Sequence, residues 1–254
     1  MASFANRAAK RFLRVLGRSI KCTHYVGDFV FADHLARLFD RLEVGCVLDV
    51  GAFNGLYHDF LRDMVGYRGL IISFEPVRKY AEALKRDSAR DPQWVICDFA
   101  LGSEDSHGTF NVMRAGNFSS FLPPDHSVVS DFAVKNQVDH QETVQVRRLD
   151  SVIGSLASRR PIHNIYLKMD TQGFDLEVIR GAPETLRTVL ALQTEMSLRP
   201  IYQGMPSFSD ARRELESLGF DISGMFPVSH DTALRLIEFD CVMVNRLLIR
   251  GQPD

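Results

Sequence analysis

Val47-Leu48-Asp49-Val50-Gly51-Ala52-Phe53-Asn54-Gly55 reads as a buried strand that ends in a glycine turn. Val47, Leu48 and Val50 are apolar, and two are β-branched, which suits a central parallel strand covered on both faces. Gly51 and Gly55 bracket a loop in which no Cβ blocks an approaching ligand. Beyond Gly55, Leu56, Phe60, Leu61 and Met64 fall on one helical stripe. Strand, glycine turn, helix is the order in which open α/β sheets present a ligand at the carboxyl end of a strand.

The glycine spacing is not the Gly-x-Gly-x-x-Gly of dinucleotide dehydrogenases, which disfavours a nicotinamide-dependent oxidoreductase. It is nearer the Asp-x-Gly-x-x-x-Gly pattern seen with S-adenosylmethionine. The same residues also fit a plain strand-to-helix turn with no ligand.

Working outward, 254 residues support one large domain with a full core. A net charge of -2 carries no basic character that would suggest nucleic acid. Cys22, Cys46, Cys97 and Cys241 are scattered, with no Cys-x-x-Cys pair, which points to reduced thiols in a cytoplasmic setting. No apolar run reaches the roughly 18 to 20 residues that span a bilayer. Residues 1–20 are basic and amphipathic, and are expected to pack on the domain or to lie on an anionic inner-membrane surface. A second helix over 27–42 is expected to cover the open side of the ligand pocket, with the main domain over 43–250.

Four further strands end in acids or polar turns. Gly69–Phe74 runs into Glu75-Pro76, where proline stops the ladder and a carboxylate can accept from two vicinal ribose hydroxyls. Trp94–Cys97 runs into Asp98-Phe99-Ala100-Leu101, where an acid can accept from an adenine amine and an apolar residue can pack on its ring. Ile165–Asp170 carries Lys168 and Asp170 on one face by its period of two. Charges inside a strand are costly unless they pair or work, so they either form an ion pair that fixes the turn or serve a site. Val189–Glu195 ends in a further acid. Phe220–Phe226 and Phe239–Asn245 read as a final strand pair, the last strand antiparallel to the rest. Residues 108–148 look irregular, with edge strands flanking Asn117-Phe118-Ser119-Ser120 and the prolines after it, as in a lid or substrate loop.

With these pieces placed, the chain resembles the FkbM family of S-adenosylmethionine-dependent methyltransferases over about residues 45–246. The resemblance rests on Asp49–Gly55, Phe74-Glu75-Pro76, Ala100-Leu101-Gly102, Ser119-Ser120, the long run Leu167–Ala182, Gln193-Thr194-Glu195 and Phe239-Asp240. It implies an α/β, Rossmann-like class I methyltransferase fold: a mostly parallel seven-stranded sheet, an antiparallel last strand and helices on both faces. It also implies methylation of a hydroxyl on a sugar, glycolipid or small metabolite. Asp49, Gly51, Ala52, Asn54 and Gly55 are then expected at the methionine part of the cofactor, Glu75 and Pro76 at the ribose, and Asp98, Phe99 and Ala100 at the adenine. Ser119 and Ser120 are expected at the acceptor. Asp170 is the candidate base, with Lys168 and Glu195 shaping its charge. A divalent metal at Asp170 and Glu195 could also acidify the hydroxyl, but the sequence shows no convincing cage and no metal site is assigned. The family commonly has Asn where Phe53 stands and often Glu where Asp175 stands. A non-catalytic binding module that keeps the fold is the reading from a different class.

Overall fold

The computed structural model describes residues 22–129 and 131–249. The basic stretch 1–20 lies outside them. The stretch around Asp49 forms β1 (Cys46–Val50), every residue of which is buried. It pairs in parallel with β2 (Leu70–Phe74) on one side and β7 (Ile165–Met169) on the other. β3 (Trp94–Cys97) extends the sheet beyond β2, and β8 (Val189–Ser197) extends it beyond β7. β10 (Leu236–Asn245) then runs antiparallel between β8 and β9 (Phe220–His230). The order β3-β2-β1-β7-β8-β10-β9 matches the seven-stranded, mostly parallel sheet with an antiparallel last strand that the sequence implies.

Alternation along β1 splits the core in two. Cys46, Leu48 and Val50 face a layer built on α4 (Leu149–Ala157), α5 (Asp175–Arg180) and α6 (Phe208–Ser217). Val47 faces α1 (Cys22–Arg41), whose Leu35 and Phe39 pack on Ile71, Tyr166 and Val242. α1 therefore lies on the flat of the sheet. None of its described side chains lines the cleft discussed below, and the helix packs on the sheet instead of covering the pocket as expected.

The segment after Gly55 also departs from its apolar stripe. α2 (Leu56–Phe60) passes into a π-helical turn over Leu61–Val65. The extra residue shifts the helical phase. His58, Leu61 and Arg62 turn inward, while Leu56 is 66% exposed. Arg62 is tolerated inside because its Nε donates to Asp91 Oδ2 (2.7 Å) and its Nη1 to the Tyr67 carbonyl (2.9 Å).

α3 (Arg78–Asp87) connects β2 to β3. The region expected to be irregular is more ordered than its composition suggests. β4 (Ala100–Leu101), β5 (Ser106–Met113) and β6 (Val138–Arg147) form a separate three-stranded sheet. A satellite core of Phe118, Val129, Phe132, Ile201 and Tyr202 anchors the loop between β5 and β6. The insertion is thus tied to the turn after β8.

Candidate functional site

The carboxyl ends of β1, β2, β4 and β7 open on a shared cleft. Its floor is the glycine turn. Gly51 takes φ +79°, and a Cβ there would sit 2.1 Å from the Asp170 carbonyl oxygen. The ends of β1 and β7 therefore touch backbone to backbone, which only glycine permits. Gly55 (φ +85°) serves packing instead, since a Cβ there would press on Leu84 and Trp94.

Phe53 also sits in the left-handed region, at φ +49°. That conformation costs a non-glycine residue about 1–2 kcal/mol, and Asn adopts it more readily than Phe. Asn, expected here from the resemblance, would take this backbone at lower cost. Phe53 is held by two contacts. Its backbone N–H donates to Glu75 Oε2 (2.8 Å), and its ring meets Tyr80 edge-on at 4.6 Å.

Glu75 lines the cleft at the end of β2 and is 4% exposed. Its Oε1 accepts from the Val77 N–H (2.8 Å), so each oxygen already holds one backbone donor and keeps further acceptor capacity. Burial outweighs those two hydrogen bonds and pushes its carboxyl up to about 7.

Lys168 is 3% exposed. Its closest partner is Asp49 rather than Asp170: Nζ donates to Asp49 Oδ1 (2.9 Å) and to the Gly51 carbonyl (3.0 Å), and stands 3.8 Å from Asp170 Oδ2. Burial acts to lower the Lys168 ammonium, but the Asp49 and Asp170 carboxylates outweigh it and hold it above its ordinary value. Asp49 is fully buried behind the turn, with Oδ2 taken by Ser73 Oγ (2.8 Å). It does not line the cleft, so the expectation that it reaches a cofactor amine is corrected: its oxygens hold neighbouring strands.

This pair belongs to a polar belt across one face of the sheet, where Ser73, Asp49, Lys168 and Gln193 stand in register. Trp94 Nε1 donates to Ser73 Oγ at one end (2.9 Å). At the other end Gln193 Oε1 accepts from Tyr57 (2.7 Å), and its Nε2 donates to Asp240 (2.9 Å). Among the described residues no buried side-chain nitrogen or oxygen lacks a partner.

Asp170 follows β7 and faces the cleft with a 38% exposed side chain. Oδ1 accepts from Gln172 Nε2 (2.9 Å), and the same amide nitrogen donates to Glu195 Oε2 (2.6 Å). Glu195 lines a smaller neighbouring pocket with Asp175 and Thr194, not the main cleft. Burial first, then the Asp170 and Glu238 carboxylates, push Glu195 well above the ordinary carboxylate range. A cation shared by Asp170 and Glu195 would have to displace the amide. Among the described residues no group of three acids, histidines or cysteines is arranged to hold a metal.

The other expected site residues divide. Ala52, Asn54, Pro76, Ala100 and Ser119 line the cleft. Asp98 does not, because its carboxylate is paired with Lys85 Nζ (2.6 Å) at the surface. Phe99 packs on Phe74 in the core, and Leu101 takes a place in the cleft wall beside Ala100. Ser120 is turned away: its hydroxyl donates to the Gln172 carbonyl (2.8 Å) and accepts from the Leu122 N–H (3.0 Å). The sequence reading missed Gln172 and the aromatic wall of Phe110, Phe121 and Phe174. Gln172 carried one weak signal, its place next to Gly173 in a turn.

Glu75, Glu238 and Asp240 are each pushed up to about 7, with burial the first cause in every case. These carboxyls bind protons more readily folded than unfolded, so stability falls as pH rises through the window from about 4.5 to about 7. His34, lowered by burial, and the exposed His140, raised by Asp139, act in opposite directions there. For Asp91, burial is outweighed by the His58 and Arg62 hydrogen bonds, which hold it at about 2, so its stabilisation is lost only below the window. The ligand-free protein is expected to melt several degrees higher at pH 6 than at pH 8 by differential scanning fluorimetry. An equal or lower melting temperature at pH 6 contradicts the buried-acid account.

The chain matches the family described as "Methyltransferase FkbM domain" over residues 49–222. No curated protein matches it. Among solved structures it is similar to methyltransferase FkbM from Methylobacillus flagellatus KT, at 16% identity and a TM-score of 0.49, covering 79% of this chain and 43% of that one. It thus spans less than half the length of that protein. It is also similar to magnesium protoporphyrin IX methyltransferase from Synechocystis PCC 6803, at 12% identity and a TM-score of 0.45, covering 94% and 91% of the two chains. Fibrillarin from Aeropyrum pernix gives 12% identity and a TM-score of 0.43, covering 79% of this chain and 67% of that one. The match over residues 49–222 takes in the glycine turn, Glu75, the insertion and the Lys168–Glu195 region alike, and by it the chain belongs to the FkbM methyltransferase family.

Proposed function

We propose that the protein is an S-adenosylmethionine-dependent O-methyltransferase acting on a hydroxyl of a sugar, glycolipid or other small metabolite. The observation that carries this is the opening of Glu75 and Asp170 on one cleft floored by the glycine turn. The residues present fit the cofactor. Glu75 has acceptor capacity for two ribose hydroxyls, and Ala100 and Leu101 offer an apolar wall to an adenine ring. Gly51 and Ala52 bring backbone to where the methionine part would lie, and no Asp98 carboxylate is needed. When bound, S-adenosylmethionine supplies a methyl that is already electrophilic on its sulfonium.

The protein's task is to orient the acceptor oxygen and take its proton. Asp170 is the group placed for that. Its Oδ1 is held by Gln172, which leaves Oδ2 toward the cleft to accept the hydroxyl proton. Lys168 cannot serve as the base, because its ammonium is held by Asp49 and the Gly51 carbonyl. It is a positioning residue that fixes the floor. Ser119, whose Oγ accepts from the Met113 N–H (3.1 Å), keeps its own proton to donate to an acceptor oxygen.

Isothermal calorimetry with S-adenosylhomocysteine tests the reading. Binding in the micromolar range is expected, with NADH giving no heat. Glu75→Gln is expected to weaken binding about tenfold or more, since it removes an acceptor from the ribose and from a backbone N–H together. No heat with either S-adenosylhomocysteine or S-adenosylmethionine would overturn the proposal.

A further inference from the structure

We infer that Gln172 is the positioning residue for Asp170, and that the insertion and the turn after β8 act on the site through it. The inference rests on the reading of Asp170 as the base. Gln172 takes φ +57°, a left-handed conformation that costs a non-glycine residue about 1–2 kcal/mol. It is gripped at three points. Its carbonyl accepts from Ser120 in the insertion. Its Oε1 faces the hydroxyl of Tyr202 at 2.8 Å, and that hydroxyl is also 2.7 Å from the Phe118 carbonyl. Its Nε2 donates to Asp170 Oδ1 and Glu195 Oε2.

This grip decides what Asp170 can do. Two carboxyls brought together without a donor between them tend to share one proton, and a base that already holds a proton is useless. An amide NH2 has two hydrogens, one for each carboxyl, so both can stay acceptors. The two carboxyls call for the NH2 end of the amide, and the phenol, whose one proton is shared between Oε1 and the Phe118 carbonyl, holds the other end. Oδ2 of Asp170 is then the oxygen left for an incoming hydroxyl. The charged groups bearing on the pair come from every neighbouring element: Lys168 on β7, Asp49 on β1, Asp175 on α5, and Glu238 and Asp240 on β10. Only Lys168 is cationic, and Asp49 already holds it. The amide is therefore the neutral group that keeps the acids apart. Ser120 and Tyr202, both buried, couple its placement to the packing of the insertion.

The experiment is a carbon-13 carboxyl NMR titration of the ligand-free protein, with the pair's signals assigned by Asp170→Asn and Glu195→Gln. Gln172→Met keeps the length of the side chain and removes both donors. It is expected to raise the lower titration midpoint of the pair by about one pH unit or more, the scale of a lost charge-assisted hydrogen bond. S-adenosylhomocysteine affinity is expected to stay within about threefold of wild type, because Glu75 and the glycine turn are untouched. Unmoved midpoints overturn the inference. Should Gln172→Met fail to fold, Tyr202→Phe removes only the phenol that holds the other end of the amide. A smaller upward shift is then expected, and no shift overturns the inference again. Wild-type protein that fails to bind S-adenosylhomocysteine would end the methyltransferase reading while leaving the titration result intact.

Discussion

Asp170→Asn is expected to keep S-adenosylhomocysteine binding within about threefold and to lower kcat by about 10²- to 10⁴-fold, the range a positioned general base contributes. The substitution changes no volume. Asparagine keeps an oxygen that Gln172 Nε2 can donate to, so the turn retains its hydrogen bond. What is lost is the second carboxylate oxygen as an acceptor for the hydroxyl proton. Because the proton is taken only as the oxygen attacks, KM for the acceptor should move far less than kcat. The measurement is steady-state transfer of radiolabelled methyl, with calorimetry on the same sample to show that the cofactor part is intact. Full turnover in the variant would remove Asp170 from the chemistry and point to Ser119 or water as the route for the proton. A matched fall in cofactor affinity would move Asp170 from the acceptor to the cofactor.

The parts of this molecule that were legible in the sequence are those in which local pattern and fold agree. The Val47–Gly55 stretch is a buried strand entering a turn because its apolar and β-branched residues need cover on both faces and its glycines need positive φ. Glu75 was found by its place, one residue past a strand and just before a proline. Other readings failed where a side chain's partner is distant in sequence. Asp49 was expected at the cofactor from the resemblance, but register sets it beside Lys168 and Ser73, and nothing in the local sequence announces that register. Asp98 occupies a strand end just as Glu75 does, yet α3 brings Lys85 across to it. The inward turn of Arg62 goes with the π-helical turn over Leu61–Val65, to which a 3.6-residue pattern is blind. Gln172 and Tyr202 meet because the insertion and the turn after β8 share a core, which the polar residues and prolines between Asn117 and His126 conceal in the sequence.

Lys168→Met is expected to cost about 3–5 kcal/mol of folding stability, more than a hydrophobic substitution of similar shape would cost elsewhere in the sheet. The loss does not measure the worth of the ion pair. It arises because Asp49, fully buried, is left with Ser73 as its remaining side-chain partner and no countercharge. The Gly51 carbonyl loses its donor at the same time, so the cleft floor loosens and S-adenosylhomocysteine affinity should fall as well. The sign with pH is fixed by the same physics. The stabilisation that Lys168 provides is fully present below its unfolded value of 10.5 and is lost only as pH rises through a folded value above that, so wild type loses none of it between pH 6 and 9. In the variant a neutral carboxyl is cheaper to bury than a charged one, so the deficit should narrow as pH falls. Adding Asp49→Leu removes the orphaned charge, and the Asp49→Leu/Lys168→Met protein should recover much of the lost stability, a coupling that a double-mutant cycle in urea would read directly. A double variant no more stable than Lys168→Met alone would mean that the lysine acts through the Gly51 carbonyl, and that the belt across the sheet is held by its hydrogen bonds and not by its charges.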